Sequence, residues 1–162
     1  MESRIGKTLA ETWKAECLRW PLGRRAFSAY GARYAPYFKT ISPLINVLEP
    51  NRCEVLIKKR KRVENHIGTV HVIAIANGLE MAMGFMAEAS IPKHLRWIPK
   101  GMELSYPNKA ASDIVCRATV PADGWQPGDL MVSVEALDES GTVVVDGTIK
   151  LWISEKPSKA AA

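Results

Sequence analysis

The stretch "NHIGTVHVIAIANGLEMAMG", residues 65–84, decides how this chain folds. It opens on polar groups and a glycine, then turns into a long apolar run. On a helical wheel the run has no polar side, because Ile73, Ala74, Ile75, Ala76, Leu79, Met81, Ala82, Met83 and Phe85 fall all round it. That pattern predicts a helix buried on nearly every face. One carboxylate, Glu80, is embedded in it. An unpaired carboxylate taken out of water costs on the order of several kcal/mol, so Glu80 is expected to have a partner or a task. Its neighbours one turn away, Ala76 and Gly84, with Asn77 three residues before it, leave a notch that water or a ligand can reach.

A helix enclosed in this way within one small domain needs a curved sheet around it, and the flanking sequence supplies period-two runs. Leu44, Asn46 and Leu48 alternate with Ile45 and Val47, and residues 53–62, "CEVLIKKRKR", form a second extended run. Beyond the helix, Met102, Leu104 and Tyr106 share a face, followed by Ile114, Cys116, Ala118 and Val120, and then by Leu130, Val132, Val134 and Ala136. A last run holds Val143, Val145, Ile149, Leu151 and Ile153, joined to its predecessor by the hairpin turn "DESG". The expected product is an antiparallel sheet with one buried face. Upstream, Leu9, Trp13, Cys17 and Trp20 recur at helical spacing until Pro21, and "GRRAFSAYGARYAPYF", residues 23–38, reads as helix or turn packed on the core as a lid.

The chain has 162 residues, 47% of them hydrophobic, enough for one domain with a proper core. Its net charge of +5 suits an anionic partner such as a phosphate-bearing ligand, a nucleic acid or a membrane surface, without choosing among them. Cys17, Cys53 and Cys116 are far apart and have no metal-ligand spacing, so they are expected to be reduced core thiols; His66 and His94 also lack such spacing, and no metal is predicted. Charges run through "MESRIGKTLAETWKAE" where a signal peptide would be apolar, and His71, Asn77 and Glu80 interrupt residues 67–87, which makes that stretch a poor membrane span. A cytoplasmic protein is the expectation.

A long helix swaddled by an antiparallel sheet is the hotdog fold, and specific residues resemble that superfamily. Its phenylacetate-pathway-type thioesterases carry an Asn, then Gly-Thr-Val-His-Gly-Gly, then small and apolar residues up to an acidic residue on the helix. Asn65, Gly68, Thr69, Val70 and His71 stand at the matching positions here, and Glu80 falls at the acidic one. "MELSYPNKAASDIVCRATV" resembles the strand, Pro-containing turn and strand that follow the helix in the family. The resemblance covers roughly residues 45–153. It departs at Val72-Ile73, where the family has Gly-Gly, and near Trp97-Ile98, where some members place a Ser or Thr.

The resemblance implies an α+β hotdog domain over residues 41–154; the helical run upstream makes residues 1–40 an N-terminal extension packed on the core, and "EKPSKAAA" reads as a flexible tail over 155–162. The resemblance also implies hydrolysis of an acyl-CoA thioester without cofactor, with Glu80 as general base or nucleophile and Asn65 and His71 as further catalytic residues. Gly68, Val72, Arg60 and Arg62 are the substrate-binding candidates, the arginines from "KKRKR", residues 58–62. On a continuous helix His71 and Glu80 point about 180° apart and lie about 13 Å apart along the axis, so one chain cannot join them. Two chains packed helix beside helix can, which predicts a homodimer or a dimer of dimers. The first-turn N–H groups around His71 and Val72 would then hold an oxyanion facing the other chain's Glu80.

Each residue also has a structural role open to it. Glu80 can pair with a cation across an interface, His71 can hydrogen-bond the helix start, Asn65 can form a turn, and "KKRKR" can be a solvated strand end. A non-catalytic hotdog protein that binds acyl-CoA or a lipid-like ligand is the alternative function. A nucleic-acid module using the basic run is a third; no aromatic-interleaved basic surface accompanies it, so no nucleic-acid partner is expected.

Overall fold

A computed structural model describes residues 11, 13 and 22–157. The amphipathic helix expected from Gly6 to Trp20, and residues 158–162 of the expected tail, lie outside the described residues apart from Glu11 and Trp13. Six strands form one antiparallel sheet: β1 (Leu44–Glu49), β2 (Arg52–Ile57), β3 (Leu95–Ser105), β4 (Ile114–Thr119), β5 (Gly128–Leu137) and β6 (Val143–Glu155). Their order across the sheet is β1-β2-β4-β5-β6-β3, so β1 and β3 are the edges. Helix α1 (Gly23–Tyr34) and a 3₁₀ turn (Pro36–Ile41) precede the sheet, and the long helix α2 (Val72–Ser90) lies across its concave side between β2 and β3 in sequence. This is the wrapped-helix architecture expected from the apolar run.

The inward residues of β4, β5 and β6 are largely the ones the alternation named, from Ile114, Cys116 and Ala118 through Val132 and Val134 to Ile149 and Ile153, although at the start of β6 Val144 is buried and Val143 only partly so. Against them α2 packs Ile75, Leu79, Ala82, Met83 and Met86. Gly78 marks its closest approach, since a Cβ there would meet Ile57 Cδ1 at 2.6 Å and Cys116 Sγ at 2.8 Å. By length and composition α2 could cross a membrane, yet half of it is buried inside this protein, where it is the core helix. The α1 helix caps the far side through edge-on contacts of Phe27 with Trp13 (5.1 Å between centroids) and Phe85 (6.0 Å). The "DESG" turn closes as read: Asp138 Oδ1 accepts from the N–H groups of Ser140 and Thr142, and Gly141 takes φ +83°. Hydrogen bonds from Ser140 and Thr142 hold the exposed Asp138 carboxyl below its ordinary range.

Four expectations are corrected. The helix is not buried on nearly every face: Ile73 is 57% exposed and Glu80 and Glu88 are exposed, with Ala76 and Gly84 half-buried between them, because the sheet covers only the opposite side. The second extended run ends at Ile57 rather than continuing through "KKRKR". Asp113 takes the Lys59 N–H at 2.8 Å and Lys61–Val63 coil into a 3₁₀ turn, which removes the residues from the ladder. Met102 and Tyr106 do not line a buried face but are exposed, since β3 is an edge strand whose described residues are covered only at Leu95 and partly at Trp97 and Leu104. In β1 a register shift between Ile45 and Val47 moves the buried face from Ile45 to Leu48, breaking the simple alternation.

The seam between β3 and β6 is a point of high sensitivity. A Cβ on Gly147 would collide with the Glu103 carbonyl oxygen and stand 3.0 Å from Leu104 Cα, both backbone atoms that cannot yield without separating the strands. Gly147→Ala is therefore expected to destabilise the fold by about 3 kcal/mol, the upper end for overpacking, or roughly 6–12 °C in Tm. Thermal unfolding followed by circular dichroism checks this, and an unchanged Tm would show that β3 can shift at no cost.

Candidate functional site

The loop that delivers the chain to α2 is built around Asn65. Its Oδ1 accepts from the N–H groups of Ile67 and Thr69, both at 3.1 Å, and its Nδ2 donates to Thr69 Oγ1 at 2.8 Å. Asn65 thus acts as the turn former that Asx side chains make. Gly68 sits at the tip with φ +76° and open space around it, so glycine answers a backbone requirement there and not a steric one. The Val70 N–H bonds the Ala110 carbonyl at 2.8 Å and the His71 N–H bonds the Val63 carbonyl at 2.7 Å, which anchors the start of the helix.

His71 is the N-cap of α2, with Nδ1 accepting from the Ile73 N–H at 3.1 Å. An acceptor Nδ1 leaves the ring proton on Nε2. The expectation of two free N–H groups at His71 and Val72 is corrected in part: the His71 N–H is spent on Val63, whereas no acceptor among the described residues takes the Val72 N–H. The positive end of the helix dipole is therefore displayed by one first-turn donor. Val72 is half-buried beside it.

Glu80 lies two turns further along, exposed, with no hydrogen bond or ion pair among the described residues. In a single chain it is hydrated, so the desolvation cost foreseen for it does not arise. Its notch is real on one side only. Asn77 turns inward, 6% exposed, and its Nδ2 donates to Thr40 Oγ1 at 3.1 Å and to the Tyr37 carbonyl at 3.4 Å. On the other side the Trp97 ring lies 3.7 Å from a Cβ placed on Gly84, and Trp97 Nε1 donates to Glu88 Oε1 at 2.9 Å. The open strip of α2 thus runs Ile73, Ala76, Glu80, Gly84 and is bordered by β3. The Trp97–Glu88 pair was missed by sequence reasoning, because the nine-position separation spans the turn from helix to strand.

Within one chain Asn65, Gly68, His71 and Val72 gather at the N-terminus of α2, and Glu80 does not join them. Two cavities among the described residues, of about 550 and 490 Å³, are lined by neither Glu80 nor His71. Arg60 and Arg62 also part: Arg60 Nη2 donates to the Ile41 carbonyl at 2.8 Å, while Arg62 is exposed on the 3₁₀ turn. The two described thiols are not candidate nucleophiles; Cys17 lies outside the described residues. Cys53 and Cys116 are free and buried, burial pushes both far above the ordinary thiol range, and Cys116 Sγ contacts the Ile75 carbonyl at 3.7 Å. No group of three or more metal-ligating side chains occurs among the described residues.

Comparison with known proteins places this geometry. A crystallised structural-genomics target, APC5556, is 38% identical over 91% of this chain and 98% of its own, with a TM-score of 0.79. A Pseudomonas aeruginosa protein of unknown function, described as a probable thioesterase, superposes at TM-score 0.73 with 19% identity over 80% of this chain and 93% of its own. A Haemophilus influenzae thioesterase gives 0.66 with 10% identity over 77% and 87%. The low identities of the last two speak to fold alone, and the fold is the hotdog fold of thioesterase-family proteins. No curated protein sequence gives a significant match. The profile of the family described as "Domain of unknown function (DUF4442)" matches residues 23–153, taking in α1 and all of the sheet but the last two residues of β6, and the chain therefore belongs to that family.

Proposed function

We propose that the protein is a thioester hydrolase acting on acyl-CoA, its site formed between two copies of the chain. The observation that carries this reading is the exposed Glu80, without a partner among the described residues, on the uncovered strip of a mostly apolar helix. Val72 and Glu80 are eight residues apart, so they project about 80° from each other and lie about 12 Å apart along α2. A two-fold axis passing near Ala76, midway between them, would set two antiparallel helices side by side with each Glu80 facing the other copy's Val72 N–H. Small side chains at Ala76 and Gly84 allow that approach, and the outer edge of β3 beside them is free of pairing among the described residues.

In such a site the Val72 N–H and helix dipole would polarise the thioester carbonyl and hold the oxyanion. Glu80 would take a proton from water attacking the carbonyl carbon, or attack it directly. His71 would orient the helix start through its cap, and Asn65 would shape the loop that presents it. The relatives named as thioesterases support this reading by fold.

The Val72-Ile73 pair, with Ile73 projecting at the site's rim, favours one other reading, an acyl-CoA- or lipid-binding protein without turnover. Thiol release measured across acyl-CoA chain lengths, alongside light scattering, separates the two. Turnover by a dimer or larger assembly is expected. A monomer at micromolar concentration would remove the composite site, and binding without thiol release would favour the non-catalytic reading.

A further inference from the structure

A cavity of about 490 Å³ opens between α1, the Pro36–Ile41 turn, the start of β1 and the segment leaving β2. Four cations line it: Arg25 from α1, Lys39 from the 3₁₀ turn, and Lys58 and Arg60 just past β2. No aspartate or glutamate lines it, and none of the four has an ion-pair partner among the described residues. A few cations outside the cavity are paired. Lys59, between two of the four, meets Glu64 at 3.2 Å, and Arg52 and Arg117 share Glu54, whose carboxyl burial would raise but whose bonds from the two arginines hold low.

The walls are held in place before any ligand arrives. Ser28 Oγ accepts from the Ile45 N–H at 2.9 Å and donates to the Arg24 carbonyl at 2.7 Å, fixing α1 to β1. The Arg60 head is pinned to the Ile41 carbonyl, yet its Nε is buried with no acceptor. An anion in the cavity would relieve the repulsion among four like charges. Arginine forks and lysine ammoniums are also the groups that proteins direct at phosphate.

We propose that this cavity is a phosphate-binding site that takes a ligand bearing several phosphate charges, with the phosphorylated nucleotide end of coenzyme A as the source. A phosphomonoester together with a diphosphate carries about four negative charges near neutral pH, matching the four cations. The phosphate chemistry stands on the cavity itself, and only the choice of coenzyme A rests on the thioesterase reading. Asn77 clamps the cavity's 3₁₀ wall to α2 three residues before Glu80. A nucleotide held there lies against the segment that braces the candidate catalytic helix.

Calorimetric titration of the full chain with unacylated coenzyme A, adenosine 3′,5′-bisphosphate and pyrophosphate tests the site without needing turnover, so failure to hydrolyse thioesters and failure to bind phosphate are read separately. Coenzyme A and the bisphosphate are expected to bind, and Lys39→Glu with Lys58→Glu, both at exposed positions, to weaken them by at least about tenfold. Lys61→Glu, from the same basic run but outside the cavity, should change affinity by less than about threefold. Equal losses in the two variants would overturn the proposal in favour of the chain's general positive field, and so would absence of binding by the unaltered protein. Pyrophosphate binding as tightly as coenzyme A would support the site and overturn coenzyme A as its source.

Discussion

Replacing Glu80 with glutamine is expected to lower the turnover number for an acyl-CoA thioester by about two to four orders of magnitude, the usual worth of a positioned acid or base. Glutamine keeps the shape and hydrogen-bonding reach of glutamate but cannot remove a proton from water or attack a carbonyl. Glu80 has no bonding partner among the described residues and stands in solvent, so folding of the single chain should be indifferent to the change. Tm and assembly state are therefore expected to hold while thiol release collapses. Retained activity would sink the catalytic assignment. Loss of the assembly would instead show that the carboxylate is an interface group, and the ligand-binding reading would then lead.

The complementary change is Val72→Pro. Val72 is the first residue of α2, the position where a helix accepts proline best, since its N–H has no intrahelical partner. The preceding residue, His71, already has φ −64° and ψ +132°, the extended conformation that proline imposes on its neighbour. The substitution therefore deletes one N–H while leaving the helix start in its own geometry. If that N–H is the oxyanion donor, the turnover number should fall by about two to three orders of magnitude, as for the loss of one such donor elsewhere, with the far-ultraviolet circular dichroism spectrum unchanged. Activity within threefold of the unaltered protein would mean that the carbonyl is polarised by another group.

Both variants test a site whose parts were unequally visible beforehand. The Asn65-to-Glu80 spacing drew attention to one helix and to its start, because an N-cap, a glycine turn and an apolar run are local features written in consecutive residues. It did not reveal that Asn65 spends its side chain on the loop, or that the His71 N–H goes to Val63, eight residues upstream on a turn that the basic run was not expected to form. The grouping of Arg60 with Arg62 failed for the same reason. Once the chain leaves the sheet at Ile57, alternation no longer governs which side chains share a surface, and Arg60 joins Arg25 and Lys39 instead.

What the sequence determined by itself is the set of elements and most of the core. A continuous apolar helix has to be wrapped, the period-two runs of β4, β5 and β6 provide the wrapping, and "DESG" can only turn a hairpin tightly; all of these follow from residues within a few positions of each other. Tertiary structure alone decided which side of the helix stays open, since Ala76 and Gly84 are small enough to be either buried or exposed. It decided that β3 is an edge, so that Met102 and Tyr106 face solvent, through a strand order that puts β3 beside β6. It also drew four cations from three separate segments to one cavity, an arrangement that no local pattern encodes because only chain packing sets those distances.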